Sequence, residues 1–299
     1  MLIDYRTNSR GERVRNFDEA CGNLLKEILK DAKLVDSEND SNKDITELNA
    51  KLESLAVLDL GFGCGDQIIK LVHLTQPTQG WTKNNFRYVG LTLNATQIQA
   101  ARRTTGRNDS TSALSSENMH LICANAATPE AWTATTRSAV ESIGDRNFSE
   151  NRWLLALDCL YHFSPSRRPT FEYTARKLRA NVMAFDLVLN DTASWKETLA
   201  VRAVGYFMGC PIKTFLTEEQ YRAELVQCGF ERDAISMRDI SEHVFLPVSS
   251  FIQQQDRALS QYGIGLGGFK LAGRLFEWFG RSKVVRAVIV VARAEQKTS

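Results

Sequence analysis

Five short apolar runs, separated by helical patterns, constrain this chain more than any other feature. AVLDL (56–60), RYVGLTL (87–93), HLICA (120–124), RWLLAL (152–157) and VMAFDLVL (182–189) read as strands. Helical patterns near 66–75, 95–104, 129–142 and 167–179 separate them. Strands alternating with helices of this length form right-handed βαβ crossovers and a parallel sheet. Two later runs, AISMRDIS (234–241) and VVRAVIVVARA (284–294), bring the expected strands to seven. The expected fold is α/β: a seven-stranded, mostly parallel sheet with helices on both faces.

Around this frame the sequence places further helices. Residues 16–35 carry Phe17, Ala20, Cys21, Leu24, Leu25, Ile28 and Leu29 at helical spacing. Residues 217–230 form another helix, with Thr217 as cap, Glu219 in the first turn and Gly229 after the end. The polar stretches 36–46 and 104–118 read as loops. We expect one domain over 1–299: an N-terminal helical or lid segment (1–50), a nucleotide-side half (51–190) and an acceptor-side half (191–299) with cap insertions at 191–216 and 242–283.

Composition narrows the function. The 299 residues are 43% hydrophobic and 24% charged, so a disordered chain is excluded. A net charge of +2 lacks the basic stripe of a dedicated nucleic-acid binder. The six cysteines (21, 64, 123, 159, 210, 228) never stand as C-x-x-C and do not cluster with histidines, so no metal is expected. Their scatter reads as reduced, mostly buried thiols in a cytoplasmic protein. MLIDYRTNSRGER lacks the apolar segment of a secretory leader, and no run is long enough to span a membrane.

The strongest chemical signal is AVLDLGFGCGDQ (56–67), where a strand runs into Gly61, Gly63 and Gly65 and then a helix. Glycines there let the chain turn tightly and a ligand approach the main chain. The pattern is neither G-x-G-x-x-G nor a P-loop. As D-x-G-x-G-x-G it resembles motif I of the class I S-adenosylmethionine (SAM) methyltransferases, which have a Rossmann-like sheet. The resemblance implies that Asp59, Gly61, Gly63 and Gly65 hold the methionine part of SAM. GLTLNATQ (90–97) is similar to the second strand and helix of one subgroup. That subgroup includes cyclopropane synthases and sterol, phosphoethanolamine and natural-product methyltransferases. The usual acidic ribose ligand is Thr92 here, so Thr92 and Gln97 become the ribose contacts. In ICANAATPEAW (122–132), Asn125 replaces the usual Asp; it and the Ala126 N–H would hold adenine.

The acceptor side follows the fourth strand, in LALDCLYHFS (155–164). Asp158, Tyr161 and His162 are the candidate catalytic residues. His162 stands where the subgroup has a catalytic histidine, as base or orienting residue. Cyclopropane synthases carry Glu immediately before this His; Tyr161 argues against that reaction. Tyr206, Phe207, Met208 and Phe215 could line an apolar pocket or simply form core. Residues 266–283 pack on the sheet, cap a lipophilic pocket or lie on a membrane surface. Tyr5 is a candidate lid residue. The expected reaction is O-, N- or C-methylation of a small, lipophilic acceptor. The alternatives are a lipid or sterol C-methyltransferase at a membrane surface and a SAM-binding protein with scaffold or pericyclic activity. The sequence does not set the oligomeric state.

Overall fold

The structure, a computed structural model, describes residues 17–35, 52–76, 81–82, 84–107 and 117–295. Tyr5 and the loop 36–46 lie outside the described residues. All seven expected strands form: β1 (Leu55–Leu60), β2 (Phe86–Thr92), β3 (Met119–Cys123), β4 (Arg152–Leu157), β5 (Asn181–Leu189), β6 (Phe230–Asp239) and β7 (Val285–Ala294). They make one sheet in the order β3-β2-β1-β4-β5-β7-β6, with β7 antiparallel to both β5 and β6 and the other pairs parallel.

The helices are α1 (Phe17–Asp31), α2 (Asp66–Thr75), α3 (Ala95–Gly106), α4 (Ala134–Glu141), α5 (Arg168–Tyr173), α6 (Trp195–Phe207), α7 (Glu218–Cys228), α8 (Phe245–Ser260) and α9 (Gly268–Ser282). Alternation along each strand sends side chains to both faces. Leu55 and Val57 of β1 join a core with residues of α1, α2, α3, α8 and α9. Ala56, Leu58 and Leu60 join a second core with residues of α4, α5 and α7. That double coverage explains why β1 is buried along its whole length rather than on alternate residues.

Local chemistry sets the element ends. Thr217 caps α7 in a reciprocal capping box with Gln220, Glu219 lies in the first turn, and Gly229 ends the helix in the left-handed conformation. Ser194 and Glu197 cap α6 in the same way. The helix expected over 129–142 is broken into a short turn (Pro129–Ala131) and α4. β6 begins at Phe230, earlier than expected, with an irregularity before Ile235. The cysteines are free but not mostly buried: Cys64 and Cys123 are exposed and only Cys210 and Cys228 are buried.

Within 242–283, α8 and α9 pack side by side. A Cβ added at Gly273 would lie 3.1 Å from Ile252, and one at Gly280 would lie 2.7 Å from Leu246. The helices therefore run antiparallel and close together. Phe279 is buried, and Leu275 and Phe276 pack partly against the core. No described helix is long and apolar enough to cross a membrane.

Candidate functional site

The candidate residues meet along the carboxyl ends of β1 to β4. The register pairs Leu60 with Leu91 and Ala156, and Thr92 with Cys123. The backbone then continues across strands: Gly61 N–H donates to Leu91 (2.8 Å) and Ala124 N–H to Thr92 (3.0 Å). In an open α/β sheet this edge is where ligands bind.

Gly61, Gly63 and Gly65 all have positive φ, at 73°, 64° and 101°. At Gly65 the constraint is also steric, because a Cβ would lie 2.9 Å from the Ala101 Cα on α3. At Gly63 a Cβ would meet nothing within 4 Å. The turn is thus packed underneath by α3 and open above.

A cavity of about 370 Å³ lies between this turn and α1. Phe17, Cys21, Leu24 and Leu25 form one wall, and Gly61, Phe62, Gly63 and Cys64 the other. Leu157 and Asp158 at the end of β4 complete it, with Gln67 and Lys70 from α2. Lys70 reaches the Asp18 carboxylate (2.5 Å), tying α1 to α2 beside the cavity.

Asp59 is fully buried beneath the turn and does not line that cavity. Its carboxylate accepts hydrogen bonds from Tyr88 Oη (2.7 Å) and Gln67 Nε2 (2.8 and 2.9 Å). Burial raises its pKa to about 7, although both bonds act in the opposite direction. Gln67 is the member of this trio that lines the cavity. The sequence reading missed it, because a Gln in the first turn of a helix carries no signal by itself. Its amide is held in place by the Asp59 carboxylate.

Thr92 and Gln97 come together as expected: Thr92 Oγ1 donates to Gln97 Oε1 (2.7 Å). Asn94 caps α3, accepting from the Thr96 and Gln97 N–H groups. Asn125 is exposed, and its side-chain oxygen accepts from Ala127 N–H (3.0 Å). Its carbonyl accepts from Trp132 Nε1 (2.7 Å), and Ala126 is anchored by Thr170 Oγ1 (2.6 Å). These four residues sit on the same strand edge, outside the 370 Å³ cavity.

Asp158 adopts the left-handed conformation, φ 59°, which Asp tolerates better than most residues. Tyr161 Oη donates to its carboxylate (2.5 Å). Burial, then the Asp158 charge, pushes the Tyr161 hydroxyl well above its usual pKa, so it remains a donor. His162 ends a short turn, Leu160–His162, and its side chain is exposed outside the cavity. Tyr206, Phe207 and Met208 also lie outside it, exposed on and just after α6. Phe215 is core, packed against Gly205. The apolar wall of the cavity comes from α1 instead. Among the described residues no cluster of His, Cys, Asp and Glu is arranged to hold a metal.

No protein-family model matches the chain, and no curated protein matches its sequence. Solved structures do match. A protein assigned as a sarcosine dimethylglycine methyltransferase from Galdieria sulphuraria aligns at a TM-score of 0.66 and 12% identity, over 98% of this chain and 93% of that one. The [4+2]-cyclase SpnF aligns at 0.57 and 15% identity, over 98% and 87%. The geranyl diphosphate C-methyltransferase from Streptomyces coelicolor A3(2) aligns at 0.54 and 12% identity, over 95% and 81%. Together with the strand order and the glycine turn, these likenesses show that the chain has the fold of the class I SAM-dependent methyltransferases.

Proposed function

We propose that this protein transfers a methyl group from SAM to a small, lipophilic acceptor. One observation carries the reading: a glycine turn open above Gly63 stands in line with the Thr92–Gln97 pair and the Asn125–Ala126 turn along one sheet edge. Along that edge the groups offer partners for each part of SAM in turn. Gln67, held by Asp59, and the turn glycines take the methionine moiety. Thr92 and Gln97 take the ribose hydroxyls. Asn125, through its oxygen, and the Ala126 N–H take adenine.

When bound, SAM supplies an electrophilic methyl group on a sulfonium. The protein's part is alignment and exclusion of water. Phe17, Leu24 and Leu25 supply an apolar wall beside the turn. Asp158 and Tyr161 present a carboxylate and a hydroxyl donor where the cavity meets β4. His162 bonds the acceptor beyond them. The test is transfer of labelled methyl from SAM to lipophilic amines, phenols and prenyl diphosphates. We expect a methylated product, with His162→Ala lowering turnover more than affinity for S-adenosylhomocysteine (SAH). Binding of SAH without any methylated product would replace this reading with the non-methylating one; the [4+2]-cyclase SpnF shares the fold.

A second reading, that the acceptor is presented by a membrane, is favoured by the tip of the α8–α9 hairpin. Tyr262, Ile264, Phe269 and Leu271 are all exposed there, around a glycine-rich loop. Arg257 and Arg274, also exposed, have no ion-pair partner among the described residues. Phe17 on the cavity wall stacks on Phe251 of α8 (5.9 Å), so the hairpin adjoins the cavity. Sedimentation with anionic vesicles, absent with neutral ones, is the expected result.

A further inference from the structure

His162 is the candidate whose chemical role is least defined by its position, and one contact defines it. Its Nδ1 lies 3.5 Å from the Sγ of Cys210, just beyond α6. Cys210 is buried, and its backbone N–H is held by the Gly205 carbonyl (2.8 Å). The segment after it is clamped as well: Arg167 Nη2 donates to the Thr214 carbonyl (2.5 Å) while pairing with the buried Asp186. The backbone that carries the thiol is therefore held on both sides.

Burial, then the Asp186 charge, raises the Cys210 thiol to about 11, so its proton stays on sulfur at neutral pH. An imidazole lone pair is a far better acceptor than a thiol sulfur. The thiol has no other hydrogen-bond partner among the described residues. Hydrogen-bond chemistry therefore favours the proton on sulfur and the lone pair on Nδ1. No carboxylate forms an ion pair with His162 among the described residues, so nothing opposes that assignment; the nearest ring is Tyr161, at 4.5 Å.

We propose that Cys210 is a positioning residue: its thiol donates to Nδ1 of His162 and locks the ring as the Nε2–H tautomer. His162 then offers the acceptor a hydrogen-bond donor, not a base. The ligand chemistry that suits it is an oxygen anion, such as a carboxylate or phosphate on the acceptor molecule. This rests on the reading above only in placing the acceptor beside β4; the tautomer itself is a property of the protein alone.

The test is therefore made without ligand, on the full chain labelled with 15N-histidine, by long-range 1H–15N correlation at neutral pH. Loss of one ring system in His162→Gln assigns the signals, and the exposed His73 is the reference for a ring that exchanges between tautomers. We expect His162 as Nε2–H alone, unchanged in Cys210→Ser, whose hydroxyl also donates. In Cys210→Val, which fills the space without a donor, it becomes the mixture seen for His73. An Nδ1–H tautomer or a mixture in the wild type overturns the proposal, and so does a Cys210→Val spectrum identical to wild type. If neither variant folds, the wild-type spectrum still decides. Calorimetry with SAH on the same sample reports separately on the methyltransferase reading.

Discussion

The strand edge around the glycine turn and the α8–α9 hairpin are built on opposite plans. At the edge, position is fixed from below by backbone and buried polar groups: Gly65 against Ala101, and Asp59 between Tyr88 and Gln67. The hairpin is fixed by close helix packing at Gly273 and Gly280 and by Phe279, while its tip leaves large apolar side chains in solvent. The first plan holds the groups of the strand edge at set places. The second needs only enough buried area to stay attached, so its outer surface is free to take other roles.

Substitutions at the two places should separate stability from binding. The largest effect is expected for Gly65→Val, which adds left-handed strain to a backbone clash. It should cost about 5 kcal/mol in denaturant unfolding and abolish SAH binding. A stable Gly65→Val that still binds would break the account of the turn.

Asp59→Asn comes next and depends on pH. A carboxyl whose folded pKa, about 7, stands above its usual 3.8 contributes stability that is fully present below about pH 4. That contribution is lost as pH rises through about 7. Asn mimics the protonated form, so the variant should match wild type near pH 4 and gain on it by pH 8, by at most about 4 kcal/mol. Parallel stability profiles for the two proteins would remove Asp59 from the list of buried, proton-holding groups.

Phe279→Ala opens a cavity under the hairpin and should cost about 3 kcal/mol while leaving the SAH dissociation constant unchanged. A matched loss of SAH affinity would show that the two regions are not separable. The smallest stability effect is expected for Ile264→Ser with Phe269→Ser, within about 0.5 kcal/mol of wild type, because both side chains are exposed. If the tip docks on lipid, vesicle binding falls several-fold in this variant; unchanged binding would move the contact elsewhere.

The same contrast explains what was legible in the sequence. β1 to β5, the turn and α2 were readable because local period and glycine spacing encode them, and α2 spans 66–75 as expected. The α8 helix was not. Pro247 and the polar run Gln253–Gln255 disguise it, yet Pro247 sits in the first turn, where its missing N–H costs nothing. The cavity wall was half legible. The periodicity of α1 was plain, but which aromatic residues face the cavity is a tertiary fact, and it fell to Phe17 rather than Tyr206 or Phe207. Asp59 was found from its motif, but its burial and its bonds to Gln67 and Tyr88 are tertiary facts that the motif does not encode.

Calorimetric titration of SAH into wild type and Gly63→Ala tests the central claim most directly. The added methyl meets no protein atom within 4 Å, so the variant should fold and carry only local strain. The account predicts micromolar, one-to-one binding to the wild type, weakened at least about tenfold in the variant. No binding to the wild type, or equal binding to both, would contradict it and leave the glycine turn as a turn alone.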